Sequence, residues 1–255
     1  MIQFSVTVLG CGSALPTERH YGSSQVVNLH GRLFMVDCAE GTQFQFQRNH
    51  LQASKLDHVF ITHLHPDHCL GLTGILSSYA LKKRANDLHV YAPAEFEEML
   101  FQQFAFFVHH AQYQVVFHPI SGSSCTTVFE DAQLRVTAFP LDHKVPCYGF
   151  LFQTPGCSYA YCSDTKAIDP PTEALLGVDL LYHEATYAEA EAPLAEAMYH
   201  STARQAARFA VQCHARQLMI GHYSTRYPNE SRLLAEAQEV FPNTILATEN
   251  MTLTL

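Results

Sequence analysis

Seven consecutive residues limit this chain more than any other feature. They are Thr62-His63-Leu64-His65-Pro66-Asp67-His68, set directly after the apolar run Val59-Phe60-Ile61 and before a helix-like stretch. At an extended strand end, residues two apart point the same way, so His63 and His65 can share one metal ion. The turn at Pro66 then redirects Asp67 and His68 toward a second. Imidazole and carboxylate donors suit Zn2+, and the same set accepts Mn2+ or Fe2+. The segment therefore marks a strand end followed by a helix, loaded with ligands.

Around it, β-rich runs and helical patterns alternate. The first third predicts strands at Phe4–Leu9, Gln25–Leu29, Leu33–Asp37 and His58–Ile61 between turn-prone residues. Helical spacing follows over His68–Leu81, with Asp67 placed to cap it, and over Ala94–Phe107 beyond the strand-like Leu88–Tyr91. A second β-rich block reads Tyr113–His118, Thr126–Phe129, Leu134–Phe139, Tyr148–Gln153 and Ser158–Cys162. The final third mixes strands at Asp179–His183 and Gln217–His222 with helices over Thr202–Cys213 and Asn229–Val240, then ends in a strand pair near Ile245 and Leu253. Two β-rich halves with helices outside predict an α/β fold, a four-layer αββα sandwich. At 255 residues, 47% of them hydrophobic, and with no Pro/Gly/Ser linker, a single domain over 1–255 is expected.

Charge narrows the partners. A net charge of −9 argues against the broad basic face that dominates nucleic-acid affinity, so DNA is not an expected ligand and any RNA contact is local. Lys82-Lys83-Arg84 is the one dense basic run and reads as a solvated helix end. Eight cysteines without a Cys-x-x-Cys pair read as reduced, mostly buried thiols. The amino terminus enters the strand-like Phe4–Leu9 without a signal-peptide pattern, and no apolar run is long enough to span a bilayer. A soluble, cytoplasmic protein without membrane contact is expected. Sixteen histidines against fifteen Lys plus Arg, many beside Asp, Glu or Gly, favour metal binding.

A two-metal site needs more donors than His63–His68 supply. Candidates follow at the ends of apolar strands: Asp142-His143, Ser163-Asp164, His183-Glu184, His200-Ser201 and Gly221-His222-Tyr223. In this order, from Leu9 to about Tyr227, the chain resembles the metallo-β-lactamase superfamily and, within it, ribonuclease Z. The superfamily's His-x-His-x-Asp-His pattern is met by His63, His65, Asp67 and His68. The subgroup's segments stand here as Asp37-Cys38-Ala39-Glu40-Gly41-Thr42-Gln43, His183-Glu184-Ala185-Thr186-Tyr187, His200-Ser201-Thr202-Ala203 and Gly221-His222-Tyr223-Ser224-Thr225-Arg226-Tyr227. Leu9-Gly10-Cys11-Gly12-Ser13-Ala14 only approximates the family's glycine-rich loop, and Pro66 stands where the family usually has Gly. Only residues 144–163 separate His143 from Asp164, where the bacterial family usually inserts a long tRNA-gripping arm.

The resemblance implies two zinc ions on His63, His65, Asp67, His68, His143, Asp164 and His222, with Asp164 bridging. It also implies a His200–Glu184 pair that protonates the leaving 3′ oxygen; Asp67, a carboxylate within reach of a metal-bound hydroxide, is placed either to orient that water and accept its proton or to serve as a ligand only. The implied activity is tRNA 3′ processing, with precursor tRNA as partner, and the family commonly works as a homodimer, so an armless chain would borrow an arm from another protomer or partner. Two other functions share these residues: hydrolysis of small phosphodiesters such as cyclic nucleotides, and a noncatalytic, metal-stabilised RNA-processing subunit. His183 has no ligand position left and is expected to be structural, and Arg226 is placed either for phosphate or for an ion pair.

Overall fold

The computed structural model describes residues 4–255. Its contacts divide the chain into two compact units, one gathering residues up to Ser121 together with Glu249–Thr254, the other Gly122–Thr248.

The first unit contains β1 (Phe4–Gly10), β2 (Ser24–Leu29), β3 (Arg32–Val36), α1 (Thr42–Arg48), β4 (Leu56–Phe60), α2 (Pro66–Cys69), α3 (Leu72–Leu81), β5 (Leu88–Pro93), α4 (Phe96–Phe107) and β6 (Val115–Ile120). The second contains β7 (Thr126–Glu130), β8 (Arg135–Leu141), β9 (Cys147–Gln153), β10 (Ser158–Cys162), β11 (Leu180–Glu184), α5 (Ala192–Met198), α6 (Ala203–Gln212), β12 (Gln217–Gly221), α7 (Ser231–Gln238) and β13 (Thr244–Leu246). The chain then returns to the first unit with β14 (Thr252–Thr254). Among the described residues each unit holds one mixed seven-stranded sheet, ordered β14-β1-β2-β3-β4-β5-β6 and β13-β12-β11-β10-β9-β8-β7.

β3 to β6 run parallel in the first sheet and β10 to β13 in the second, the remaining pairs being antiparallel. Parallel strands buried on both faces need near-continuous apolar sequence. Val59-Phe60-Ile61 and Leu218-Met219-Ile220 supply it, each fully buried. In the first unit, Leu33, Met35, Val59, Leu88 and Val90 pack with Leu72, Ile75 and Leu76 of α3 and with Phe96 and Leu100 of α4. Each such side chain contributes about 1.5–3 kcal/mol of burial.

Several expectations change in detail. The helix predicted over His68–Leu81 is two helices, broken at Leu70–Gly71. Asp67 does not cap it: α2 begins one residue earlier at Pro66, whose fixed φ and missing N–H suit the first helical position. The terminal strands near Ile245 and Leu253 exist but do not pair with each other, since β13 joins β12 and β14 joins β1. Of Lys82-Lys83-Arg84, the lysines are exposed, whereas Arg84 is buried, paired with Asp57 and stacked on the Tyr79 ring. All eight cysteines are reduced. Among the described residues no helix is long and apolar enough to cross a membrane.

Candidate metal-ligand clusters

Each unit places its polar chemistry at the carboxyl ends of parallel strands, where the backbone leaves the ladder and side chains from neighbouring strands converge. In the first unit, Asp37 follows β3, and the ladder of β4 runs on through Ile61, whose N–H donates to Tyr91 O at 2.8 Å. The chain stays extended to His65 and turns into α2 at Pro66.

Asp37 organises this end. Its carboxylate accepts from Thr62 N at 2.9 Å, from Thr62 Oγ1 at 2.9 Å and from His68 Nδ1 at 2.7 Å. Thr62 has one hydroxyl proton and gives it to Asp37, so at His63 Nδ1, 3.0 Å away, it accepts. Both His63 and His68 therefore carry their proton on Nδ1 and a lone pair on Nε2. His63 Nε2 lies 3.0 Å from His65 Nδ1, and His68 Nε2 lies 3.6 Å from Asp67 Oδ2. Asp67 Oδ2 is itself held by Ala14 N–H at 2.7 Å.

The second unit repeats the device. Asp164 follows β10, Glu184 ends β11, and His222 follows β12. The Tyr199 carbonyl can only accept, so His143, whose Nδ1 lies 2.8 Å from it, is protonated there. Thr186 Oγ1 donates to Glu184 Oε2 at 2.7 Å and hence accepts from His222 Nδ1 at 2.8 Å. The Nε2 atoms of His222 and His143 then stand 3.2 Å and 3.8 Å from Asp164 carboxylate oxygens.

A lone pair facing a carboxylate or a second lone pair at such distances calls for a cation or proton between them. Donors about 2.0–2.1 Å from a tetrahedral zinc lie roughly 3.3 Å apart, close to the separations seen. Four imidazoles whose outer nitrogen is fixed by a hydrogen bond, as metal-binding histidines usually are, fit the implied ions.

His200 differs from the four. Its Nδ1 lies 2.9 Å from Glu184 Oε1, and Glu184 is completely buried. Burial alone would raise the Glu184 pKa, but the electrostatic pull and hydrogen bond of His200, the neighbouring His222 and the bond from Thr186 hold it well below the usual carboxylate range. Thr202 and Gln205 form a capping box that fixes the start of α6 just after His200. His183 turns aside, its Nδ1 on Glu184 O at 2.7 Å, and burial lowers its pKa. Arg226 stacks on the Tyr187 ring at 4.9 Å.

Four groups that orient the imidazoles went unassigned in the sequence: Asp37, Thr62, Thr186 and the Tyr199 carbonyl. Thr62 adjoins His63, and Asp37 and Thr186 stand just beyond the ends of β3 and β11, which is the signal that could have found them. A backbone carbonyl leaves no such signal. Between His143 and Asp164 the chain forms only β9, β10 and their connections, so the arm is absent there.

Residues 32–223 match the family described as the Beta-lactamase superfamily domain. The chain is 43% identical to ribonuclease Z of Bacteroides fragilis (strain YCH46), with 100% of both chains covered. It is 44% identical to ribonuclease Z of Azobacteroides pseudotrichonymphae genomovar. CFP2, with 99% of each covered. The B. fragilis comparison runs over 304 positions against 255 residues here, so that relative has sequence this chain lacks. Human tRNase Z, short form, superposes with a TM-score of 0.84 at 27% identity, covering 98% of each chain. The expected α/β class holds as the metallo-β-lactamase fold, and the His/Asp clusters mark a divalent-metal protein. By kinship over its whole length, the chain belongs to the ribonuclease Z family of the metallo-β-lactamase superfamily and is a hydrolase of phosphodiester bonds.

Proposed function

We propose that this protein is a tRNA 3′-processing endoribonuclease of the cytoplasm that holds two zinc ions. His63, His65, Asp67, His68, His143, Asp164 and His222 would hold the ions, and residues 1–255 work as a single domain. The observation that carries this reading is identity above 40% over the full length with ribonuclease Z, joined to an unbroken donor set. When bound, the ions supply Lewis acidity, which activates a water and neutralises charge on the scissile phosphate.

The chain's own residues do the rest. Glu184 fixes the His200 tautomer through Nδ1, leaving Nε2 to hold the proton that the departing 3′ oxygen of the tRNA needs. Asp67, held by Ala14 N–H, orients the attacking water. Without an arm, the body of the tRNA is gripped with the help of a second protomer. The exposed Phe106 and Phe107 at the end of α4, 72% and 56% accessible, offer apolar surface for a homodimer.

The test incubates zinc-loaded protein with a precursor tRNA bearing a 3′ trailer and, in parallel, with bis-p-nitrophenyl phosphate, with Asp67→Ala as the blank. Trailer removal that disappears in Asp67→Ala is expected. Cleavage of the small diester alone would move the substrate class to small phosphodiesters.

A further inference from the structure

We propose that Cys11, His20 and Glu249 form a separate zinc site in the first unit, apart from the seven ligands assigned above. Cys11 directly follows β1 and is completely buried, His20 closes the loop that leads to β2, and Glu249 lies just before β14. His20 Nδ1 is 3.5 Å from Cys11 Sγ and 3.2 Å and 3.1 Å from the two Glu249 oxygens, and one donor atom from each residue lies within 4.8 Å of the others.

Hydrogen bonding makes poor use of this arrangement. Nδ1 carries one proton or one lone pair, yet a sulfur and two carboxylate oxygens converge on it. A single cation serves all of them. With Zn–S about 2.3 Å and Zn–N about 2.0–2.1 Å, tetrahedral geometry separates sulfur from nitrogen by roughly 3.5 Å and nitrogen from oxygen by roughly 3.3 Å. A thiolate and a carboxylate together neutralise a divalent ion, and thiolate with imidazole favours zinc over magnesium or calcium. The His20 and Glu249 side chains keep 11% exposure each, so solvent reaches the edge of the cluster.

The frame is rigid. Gly12 N donates to Tyr21 O at 2.8 Å, Tyr21 N donates to Glu249 Oε1 at 3.0 Å, and Thr17 and His20 exchange backbone and hydroxyl bonds. A Cβ at Gly10 would fall 1.9 Å from Gly22 O, and one at Gly12 would fall 2.8 Å from His20 Cβ, so both glycines permit the approach that gathers the donors. The ion would clip the end of β1, the loop and the carboxyl-terminal segment together. The same loop carries Ala14, whose N–H holds Asp67.

Cobalt tests this directly. None of the seven proposed catalytic ligands is a cysteine, so in metal-stripped, cobalt-loaded full-length protein a thiolate-to-cobalt charge-transfer band reports the new site alone. The band is expected in the wild type and in His63→Ala, and is expected to vanish in Cys11→Ser, with zinc content falling by one ion per chain. Its absence from the wild type, or its survival in Cys11→Ser, overturns the proposal. Should Cys11→Ser not fold, Glu249→Gln keeps the thiol and is expected to bind cobalt at this band at least about tenfold more weakly. Unchanged affinity there also overturns it. None of these outcomes depends on RNA cleavage.

Discussion

Glu184→Gln exchanges one carboxylate oxygen for an amide nitrogen at a position that has no room for a donor. Oε1 accepts from His200 Nδ1 at 2.9 Å, Thr165 N at 3.1 Å and Ser201 N at 3.1 Å. Oε2 accepts from Thr186 N at 3.0 Å and Thr186 Oγ1 at 2.7 Å. An amide placed at Oε1 opposes two backbone N–H groups, and one at Oε2 opposes a third, the Thr186 hydroxyl alone being able to rotate. The milder orientation still breaks one bond to a charged acceptor, about 1.5–3 kcal/mol, and buries an unsatisfied N–H. With weaker bonds from the remaining donors, the expected loss is about 3–5 kcal/mol, as for removing one member of a buried ion pair. That is a large share of the roughly 5–15 kcal/mol that holds a domain folded. The pH dependence has a definite sign. The folded carboxyl titrates below its unfolded value, so its contribution is complete above the ordinary carboxylate range and is lost as pH falls below it. Glu184→Gln should flatten that acid limb and, by removing the carboxylate charge that His200 faces, lower kcat by about 10²–10⁴. Urea unfolding from neutral to acid pH at constant metal, beside single-turnover cleavage, measures both. A variant within about 1 kcal/mol of wild type with an unchanged acid limb would refute the role assigned to the five donors.

Two other substitutions probe the first unit. Asp37→Asn keeps the left-handed backbone at φ 56°, which Asn tolerates, but cannot accept from His68 Nδ1, Thr62 N and Thr62 Oγ1 together. Metal affinity, read by competition with a chromophoric chelator, should fall about 10–100-fold, and no change would remove Asp37 from the metal support. Gly71→Ala puts a Cβ 2.0 Å from Ala39 O at an ordinary backbone angle, so thermal unfolding should show a loss of about 1–3 kcal/mol from displacement alone. A neutral result would mean that the start of α3 can move away from Ala39.

The buried strands β4 and β12 and the polar residues at their ends were legible because their physics is written in residue type. A strand buried on both faces needs a continuous apolar run, and donors two apart at its end need histidine or aspartate. What failed to show depends on contacts far along the chain. α1 was missed because Gln43-Phe44-Gln45-Phe46-Gln47 alternates with the period of a strand, although Phe44 is exposed and only Phe46 is packed. The break between α2 and α3 follows from Gly71, whose N–H reaches Cys38 O at 2.8 Å and whose missing Cβ lets the chains touch. No helical period reports such an approach.

The residues that aim the donors go further in the same direction. Asp37, Tyr199 and His222 all hold left-handed backbone, at φ 56°, 62° and 61°, without being glycine. Such conformations cost about 1–2 kcal/mol each and persist only where surrounding bonds over-determine them. At His222, the ladder is tied on both sides just before the flip, by Ala185 N to Gly221 O at 2.8 Å and by Ala247 N to Ile220 O at 2.8 Å. At Asp37, its own N–H is bound to Phe60 O at 2.8 Å. At Asp37 and His222 the strand ends are therefore anchored by the sheet, and the strain is confined to the one residue whose side chain must leave the ladder, whereas Tyr199 closes helix α5. Sequence shows which residue types stand at these turns, whereas the direction each one points is set by ladder bonds to strands dozens of residues away.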